Sequence, residues 1–185
     1  MKIEYRYDDI FDSDAQVIVN PVNCKGTMGK GLALEFKHRY PDMFKQYQQD
    51  CRTGKLHIGR PRLYRESTPS ILSFPTKDDW RNPSTLPYIE ASLSYFSAHY
   101  KMVGIESIAF PKLGTENGGL SWEDVGPLMV RSLAPLDLHV SIYIREHDTP
   151  FQLEHTLAHQ PMTSEPLAND TIQLPLYSPE IDFDR

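Results

Sequence analysis

The sequence has only two cysteines and no apolar run long enough to cross a membrane. Cys24 and Cys51 fit no metal-binding or redox spacing, so we expect free thiols in a reducing compartment and no metal site. The stretch Met1–Tyr7 alternates apolar and polar residues and lacks the continuous apolar segment of a signal peptide. These absences predict a cytoplasmic protein that has no membrane partner.

Charge is distributed unevenly along the 185 residues. Residues 145–185 carry eight acidic side chains against two arginines, which accounts for the whole net charge of −6. The segment 24–65 instead carries ten Lys and Arg residues and three acidic ones. This segment is either a basic face for nucleic acid or another polyanion, or a solvated helix surface.

Apolar, β-branched runs alternate with helix-like segments, which predicts a layered α/β domain over residues 1–144. The predicted strands are Ile3–Tyr7, Val17–Asn20, Arg62–Tyr64, Ile71–Phe74, Ser107–Phe110 and His139–Ile144. The predicted helices are Gly31–Arg39, Asp42–Arg52, Leu86–Tyr100 and Trp122–Leu133. Ligands of open α/β sheets bind outside the carboxyl ends of the strands, so we expect the loops 21–30, 75–84 and 111–120 to meet around one crevice.

The region 145–185 is proline-containing and acidic, and we predict a tail or strap with one short helix, Phe151–His159. His155 and His159 are four residues apart, but their order differs from the His-Glu-x-x-His pattern of metalloproteases. We therefore interpret them as a surface pair rather than as metal ligands.

The loop before the first helix has the composition of a phosphate-binding loop. Gly29 and Gly31 allow close approach of the backbone to a ligand, Lys30 adds a positive charge, and the helix start offers unpaired N–H groups. The segment is neither a Walker A loop, because Lys30 is followed by glycine, nor a dinucleotide loop, because Leu34 replaces the third glycine. A tight turn without a ligand is the alternative.

The loop 111–120 contains three glycines and precedes a helix start at Ser121, which predicts a second phosphate cradle. Two such loops indicate a ligand with two phosphates, or with a phosphate and a sugar. In the loop between them, Lys77 follows a buried strand and is either a reactive lysine or an ordinary surface lysine. Trp80 is predicted to pack within that loop.

Four motifs together resemble the macrodomain family: Asn20-Pro-Val-Asn23, Met28-Gly-Lys-Gly-Leu-Ala33, Phe74-Pro-Thr-Lys77 and Leu113-Gly-x-x-Asn-Gly-Gly-Leu120-x-Trp122. The resemblance is to the ADP-ribose glycohydrolase branch, which contains a human terminal ADP-ribose glycohydrolase and the antitoxin macrodomain of the DarT/DarG system. It implies a three-layer α/β/α fold with a mixed central sheet, to which the acidic C-terminal extension does not belong.

The resemblance also implies a site for ADP-ribose. Lys77 takes the catalytic position, Asp9 and Ile10 the adenine side, and Asn23 the distal ribose. The remaining residues implied in binding are Asn20, Met28, Gly29, Lys30, Gly31, Leu32, Thr76, Leu113, Gly114, Thr115, Glu116, Asn117, Gly118 and Gly119. No cofactor and no metal are implied.

One position departs from the family pattern. A human member of the branch carries an aspartate on the third loop, and the same offset here falls on Gly118. Glu116 is the nearest acid, and it either substitutes for that aspartate or is a surface residue. Lys77 then acts either as a nucleophile or as a cation that assists the leaving group.

The resemblance implies removal of ADP-ribose from modified DNA bases, with ADP-ribosylated DNA as substrate and a DarT-like toxin as candidate partner. The first alternative is hydrolysis of ADP-ribosylated protein carboxylates, ADP-ribose-1″-phosphate or O-acetyl-ADP-ribose. The second is a binding module that recognises ADP-ribose without cleaving it.

Overall fold

The computed structural model describes residues 3–154, which form six strands and four α-helices. The strands are β1 (Ile3–Arg6), β2 (Val17–Asn23), β3 (Arg62–Tyr64), β4 (Ser70–Lys77), β5 (Ser107–Pro111) and β6 (His139–Tyr143). The helices are α1 (Gly31–Arg39), α2 (Pro41–Thr53), α3 (Leu86–His99) and α4 (Trp122–Leu133).

The strands form one mixed sheet in the order β1-β6-β5-β2-β4-β3, in which β3 is antiparallel and the other pairings are parallel. Strand β2 is central. After β2 the chain forms β3 and β4 on one side of it and then crosses to β5 on the other side. This reversal is a topological switch point, where parallel sheets open a crevice for a ligand. The predicted three-layer α/β/α fold is confirmed.

Two strands are longer than predicted, because a proline follows each of the predicted ends, Asn20 and Phe74. In the structure β2 and β4 continue past Pro21 and Pro75 and stay paired with each other. Both prolines lie beyond the short stretches of β5 and β3 that pair on the outer sides, so no third strand needs their missing N–H groups.

The two faces of the sheet bury separate hydrophobic clusters. Residues of β2 alternate between them: Val17 and Val19 face α3 and α4, whereas Ile18 and Val22 face α1 and α2. Strand β2 is therefore covered on both faces, which is why its sequence is an almost continuous apolar run.

The chain stays in contact with the domain after β6, beyond the end at residue 144 that the sequence predicts for the domain. Phe151 packs against Trp122 and fills the space beside Gly126. Its carbonyl accepts a hydrogen bond from the Tyr5 hydroxyl at 2.6 Å, and the Thr149 carbonyl accepts one from the Trp122 indole at 2.9 Å. Residues 145–151 thus extend the packed surface over α4.

Most of the predicted tail, including His155 and His159, lies outside the described residues. No helix between residues 3 and 154 has the length and apolar character needed to span a membrane. In the same part of the chain, no cluster of three His, Cys, Asp or Glu side chains has a geometry that could hold a metal ion.

Candidate functional site

A cavity of about 880 Å³ opens at the carboxyl ends of β2, β4, β5 and β6. The loops after β2, β4 and β5 form its walls, as the sequence predicts, and residues 143–145 after β6 add a fourth side. The site therefore lies at the topological switch point of the sheet.

Asn23, at the end of β2, is held rigidly at the cavity wall. Its side-chain oxygen accepts hydrogen bonds from the Lys25 N–H at 2.9 Å and from the buried Tyr47 hydroxyl at 3.3 Å. Its amide nitrogen donates to the Thr27 carbonyl at 2.6 Å. One N–H of that amide remains for a ligand, and its direction is fixed before the ligand arrives.

The start of α1 forms the adjacent wall. Gly31 has a φ of +53°, in the left-handed region that favours glycine, and the N-cap residue Lys30 makes no side-chain hydrogen bond to the helix start. The first N–H groups of α1 therefore lack a side-chain cap and face the cavity next to a lysine. Unpaired helix-start N–H groups attract phosphate oxygens.

Lys77 ends β4 between these walls, half-buried and lining the cavity. Burial lowers the pKa of its amine below the ordinary lysine value, because a charged ammonium is less well solvated there. The amine donates a hydrogen bond to the Asn117 carbonyl at 2.5 Å. The lysine is thus positioned from the loop on the opposite side of the cavity.

The third wall is the loop after β5, which turns sharply at Gly114 and at Glu116. Gly114 has a φ of +66°, and Glu116 adopts a φ of +48°, which is unusual for a residue with a side chain. The Asn117 side chain reaches over Gly31, where an added Cβ would lie only 2.7 Å from its amide nitrogen. The loops after β2 and β5 therefore meet across the cavity.

A side chain at Gly118 would require the buried Ser84 to move. An added Cβ would lie 2.6 Å from the Ser84 Oγ and 3.1 Å from its Cβ, and the Ser84 N–H donates to the Gly118 carbonyl at 2.9 Å. The position at which a human member of the branch has aspartate is therefore filled here by Ser84. Glu116, the alternative acid, forms an ion pair with Arg145 at the cavity rim.

Two ion pairs tie the third loop to the chain after β6. The Glu116–Arg145 pair is exposed, whereas Lys112 and Asp148 form a partly buried pair at 2.7 Å. Burial would raise the pKa of Asp148, but its hydrogen bonds from Lys112 and from the Arg145 N–H lower it overall.

Trp80 was predicted to pack within its loop, and this prediction is wrong. Its side chain is 55% exposed and lines the cavity mouth. The neighbouring Asp79 is buried and accepts hydrogen bonds from the Arg81 backbone and guanidinium at 2.6–3.0 Å. These bonds lower the pKa of Asp79 and fix the turn that presents Trp80.

The cavity brings together most residues that the sequence singled out. Those that line it are Asp9, Ile10, Asn23, Gly29, Lys30, Gly31, Leu32, Thr76, Lys77, Gly114, Thr115, Glu116, Asn117 and Gly118. Four do not line it: Asn20, Met28, Leu113 and Gly119. Asn20, Met28 and Leu113 are buried beneath the loops, and the Asn20 amide donates to the Met28 sulfur at 3.7 Å.

Seven other cavity residues lie in the three loops expected at the crevice but were not singled out: Pro21, Val22, Thr27, Trp80, Arg81, Pro111 and Lys112. Six more lie outside those loops: Asp8, Ala33, Glu35, Tyr143, Ile144 and Arg145. The residues after β6 could have been found from the rule that ligands bind at the carboxyl ends of all parallel strands. The position of Trp80 and Arg81 in the loop 75–84 indicated the crevice, but no motif distinguished them from the rest of that loop.

Comparisons with known proteins agree with this geometry. The model of the family described as Macro domain matches residues 19–129. A Mycobacterium tuberculosis protein named DNA ADP-ribosyl glycohydrolase is 42% identical over 146 residues, which cover 76% of this chain and 42% of that protein. The chain spans about two fifths of the length of the first curated relatives.

Two solved structures share the fold. The macrodomain of Mycobacterium tuberculosis DarG is 41% identical with a TM-score of 0.73, over 76% of this chain and 96% of that chain. Thermosipho africanus DarTG, solved in complex with ADP-ribose, is 38% identical with a TM-score of 0.76, over 80% of this chain and 43% of that chain.

Proposed function

Because this chain belongs to the macrodomain family, we propose that it is an ADP-ribosyl glycohydrolase that removes ADP-ribose from modified DNA bases. The observation that carries the proposal is Lys77, an amine with a lowered pKa that lines the cavity between two glycine-rich loops. The name of the 42% identical Mycobacterium tuberculosis relative supports the substrate class.

ADP-ribose fits the distribution of groups around the cavity. The volume of about 880 Å³ is within the range of about 300–1,000 Å³ that small-molecule sites occupy. The pyrophosphate would lie between the start of α1 and the loop 114–118, and the adenine beside Asp9 and Ile10. The distal ribose would then lie near Asn23 and Lys77.

Cleavage of an ADP-ribosyl bond passes through an oxocarbenium-like state at the C1″ carbon. In the proposed reaction the neutral Lys77 amine attacks C1″ while the bond to the base breaks, and the base leaves with the electron pair. Water then hydrolyses the adduct, which releases ADP-ribose and restores the amine. Burial supports the nucleophilic role because it increases the fraction of neutral lysine.

A single lysine carries the chemistry in this proposal. Ser84 fills the space beside Gly118, so no second acid can be placed there. Glu116 is paired with Arg145 and more than half exposed, which makes it a poor general acid.

The basic segment 24–65 supports DNA as the carrier of the ADP-ribose. Lys30 lines the cavity, and the charged groups of Lys37 and Arg39 on the helix that follows it lie over the rings of Phe44 and Phe11. An antitoxin role against a DarT-type DNA ADP-ribosyltransferase follows, because removal of the modification would reverse the toxin's reaction.

The test is incubation of the protein with DNA oligonucleotides ADP-ribosylated on thymine or on guanine, with free ADP-ribose measured by chromatography. We expect release by the wild type and loss of release in Lys77→Ala, with ADP-ribose binding retained in calorimetry. Lys101→Ala, which removes an exposed lysine outside the cavity and outside the segment 24–65, is the matched control and should behave as wild type. Wild-type turnover by Lys77→Ala would contradict the assignment.

Parallel assays separate the alternatives. The proposed substrate class would be wrong if the protein did not cleave modified DNA but cleaved one of the other compounds. These are ADP-ribosylated carboxylates, ADP-ribose-1″-phosphate and O-acetyl-ADP-ribose. Binding of ADP-ribose without turnover of any substrate would indicate a recognition module. Protection of cells from a DarT-type toxin by Lys77→Ala would indicate that the chain sequesters the toxin instead of reversing its reaction.

A further inference from the structure

Trp80 is the feature of the cavity that ADP-ribose binding does not explain. Large apolar side chains are rarely exposed in the described part of the chain, where only Tyr7, Trp80 and Met102 are mostly accessible. Of these three, Trp80 alone lines the cavity. An exposed aromatic ring at the mouth of a ligand site indicates a contact with a ligand rather than with the core.

Hydrogen bonds hold the turn that carries the ring. Asp79 is buried and binds the Arg81 guanidinium through two hydrogen bonds, at 2.9 and 2.6 Å, while the Asn82 N–H donates to the Asp79 carbonyl at 3.1 Å. The Arg81 guanidinium lies 5.7 Å from the centre of the Trp80 ring. The turn thus presents a fixed aromatic face with a cation beside it, and little ordering is required when a ligand binds.

The position of Trp80 places it on the leaving-group side of the cavity. It follows Lys77 by three residues, and the start of their shared loop is fixed because the Cys24 N–H donates to the Lys77 and Asp78 carbonyls at 3.1 and 3.2 Å. In the proposed binding mode the pyrophosphate lies between α1 and the loop 114–118, and the distal ribose lies near Lys77. The group attached to C1″ would then leave the cavity past Lys77, on the side of the loop that carries Trp80.

We propose that the exposed ring of Trp80 is a stacking platform for the nucleobase from which ADP-ribose is removed, and that it selects base-linked over carboxylate-linked substrates. This inference rests on the proposed function. A nucleobase has a flat π face that stacks on an indole, whereas an aspartate or glutamate side chain has none. The Arg81 guanidinium beside the ring is 68% exposed and suits the phosphates that flank a base in DNA.

The test compares Trp80→Ala, Trp80→Phe and Met102→Ala with the wild type on an oligonucleotide ADP-ribosylated on a base. We expect Trp80→Ala to lose about 5- to 100-fold in kcat/KM, mainly through KM, because one stacked base is removed. Trp80→Phe keeps an aromatic face and should stay within about threefold of wild type. Met102→Ala removes an equally exposed apolar side chain outside the cavity and should change nothing.

Two further measurements separate stacking from folding and from ADP-ribose binding. The Kd of free ADP-ribose should be the same in Trp80→Ala and wild type, and hydrolysis of an ADP-ribosylated glutamate peptide should not fall. An equal loss of ADP-ribose affinity would place the ring on the ADP-ribose and overturn the proposal. Unchanged kcat/KM of Trp80→Ala on modified DNA would also overturn it.

A failure of the proposed function gives a different result. If the wild type does not cleave base-linked ADP-ribose, the platform is tested by titration with an unmodified single-stranded oligonucleotide while tryptophan fluorescence is recorded. The chain has two tryptophans and Trp122 is buried, so stacking should quench the Trp80 emission, and Trp80→Phe should abolish the quenching. Absence of quenching in the wild type would then refute the stacking.

Discussion

Addition of one methyl group at Gly118 should destabilise the domain and distort the third loop. In Gly118→Ala the new Cβ would lie 2.6 Å from the Ser84 Oγ, where ordinary van der Waals contacts begin at 3.4 Å. The two residues cannot simply move apart, because the Ser84 N–H is hydrogen-bonded to the Gly118 carbonyl and Ser84 is 4% exposed. Strain must therefore appear in the loop that holds Asn117 against Lys77.

The size of the effect follows from the crowding. Overpacking of a buried position costs about 1–3 kcal/mol. For a chain of this length, about 2 kcal/mol corresponds to a fall in Tm of roughly 4–8 °C. Urea denaturation of wild type and Gly118→Ala, followed by tryptophan fluorescence, measures the free energy of unfolding. Calorimetry with ADP-ribose reports the accompanying loss of affinity.

A second substitution tests whether Ser84 is the cause. The Ser84 Oγ is buried and has no hydrogen-bond partner among the described residues, so Ser84→Ala should leave stability unchanged or raise it by up to ~1 kcal/mol. In the double variant the shortest contact becomes 3.1 Å between the two Cβ positions, and about 1 kcal/mol of coupling should be recovered. Simple additivity of the two single effects, or a Gly118→Ala protein as stable as wild type, would refute the reasoning.

Three further predictions concern the lysine and the two groups that brace the site. We expect kcat, measured against pH, to rise as Lys77 loses its proton, because the neutral amine attacks and burial lowers its pKa below the ordinary lysine value. A fall in kcat over the same pH range would show that the charged ammonium is the active form. Asp148→Asn removes the charged partner of Lys112, which is partly buried and lines the cavity, and should cost about 1–3 kcal/mol in urea denaturation, whereas no measurable loss would show that the pair is solvated. Tyr47→Phe removes the 2.7 Å hydrogen bond to the Asn23 carbonyl and should weaken ADP-ribose binding in calorimetry about fivefold, whereas unchanged affinity would show that other contacts hold Asn23.

Local pattern accounts for most of the fold. All six strands and all four helices of the described residues were predicted, and α1, α4 and β3 have the predicted bounds. Glycine, proline and the change from alternating to helical periodicity mark such boundaries because they act within a few residues. The ends of β2 and β4 were missed because only the pairing partners decide whether a proline is tolerated there.

Alternation along β2 could have corrected one site assignment. Asn20 lies two residues after Ile18 and two residues before Val22, so its side chain is on the same face of the sheet, which α1 and α2 cover. Its complete burial follows from that period, although its motif suggested contact with the ligand. The exposure of Trp80 could not be predicted from periodicity, because it depends on the turn that Asp79 and Arg81 form.

The central position of β2 has a consequence for local unfolding. Its side chains belong to both hydrophobic clusters, and it pairs with β4 along its length and with β5 at its start. Neither layer of helices can detach from the sheet without exposing this strand, so its amide protons should exchange with solvent only when the whole domain opens. Asn23 is the last residue of this strand, so the cavity wall that it forms is attached to the segment whose amide protons we expect to exchange most slowly.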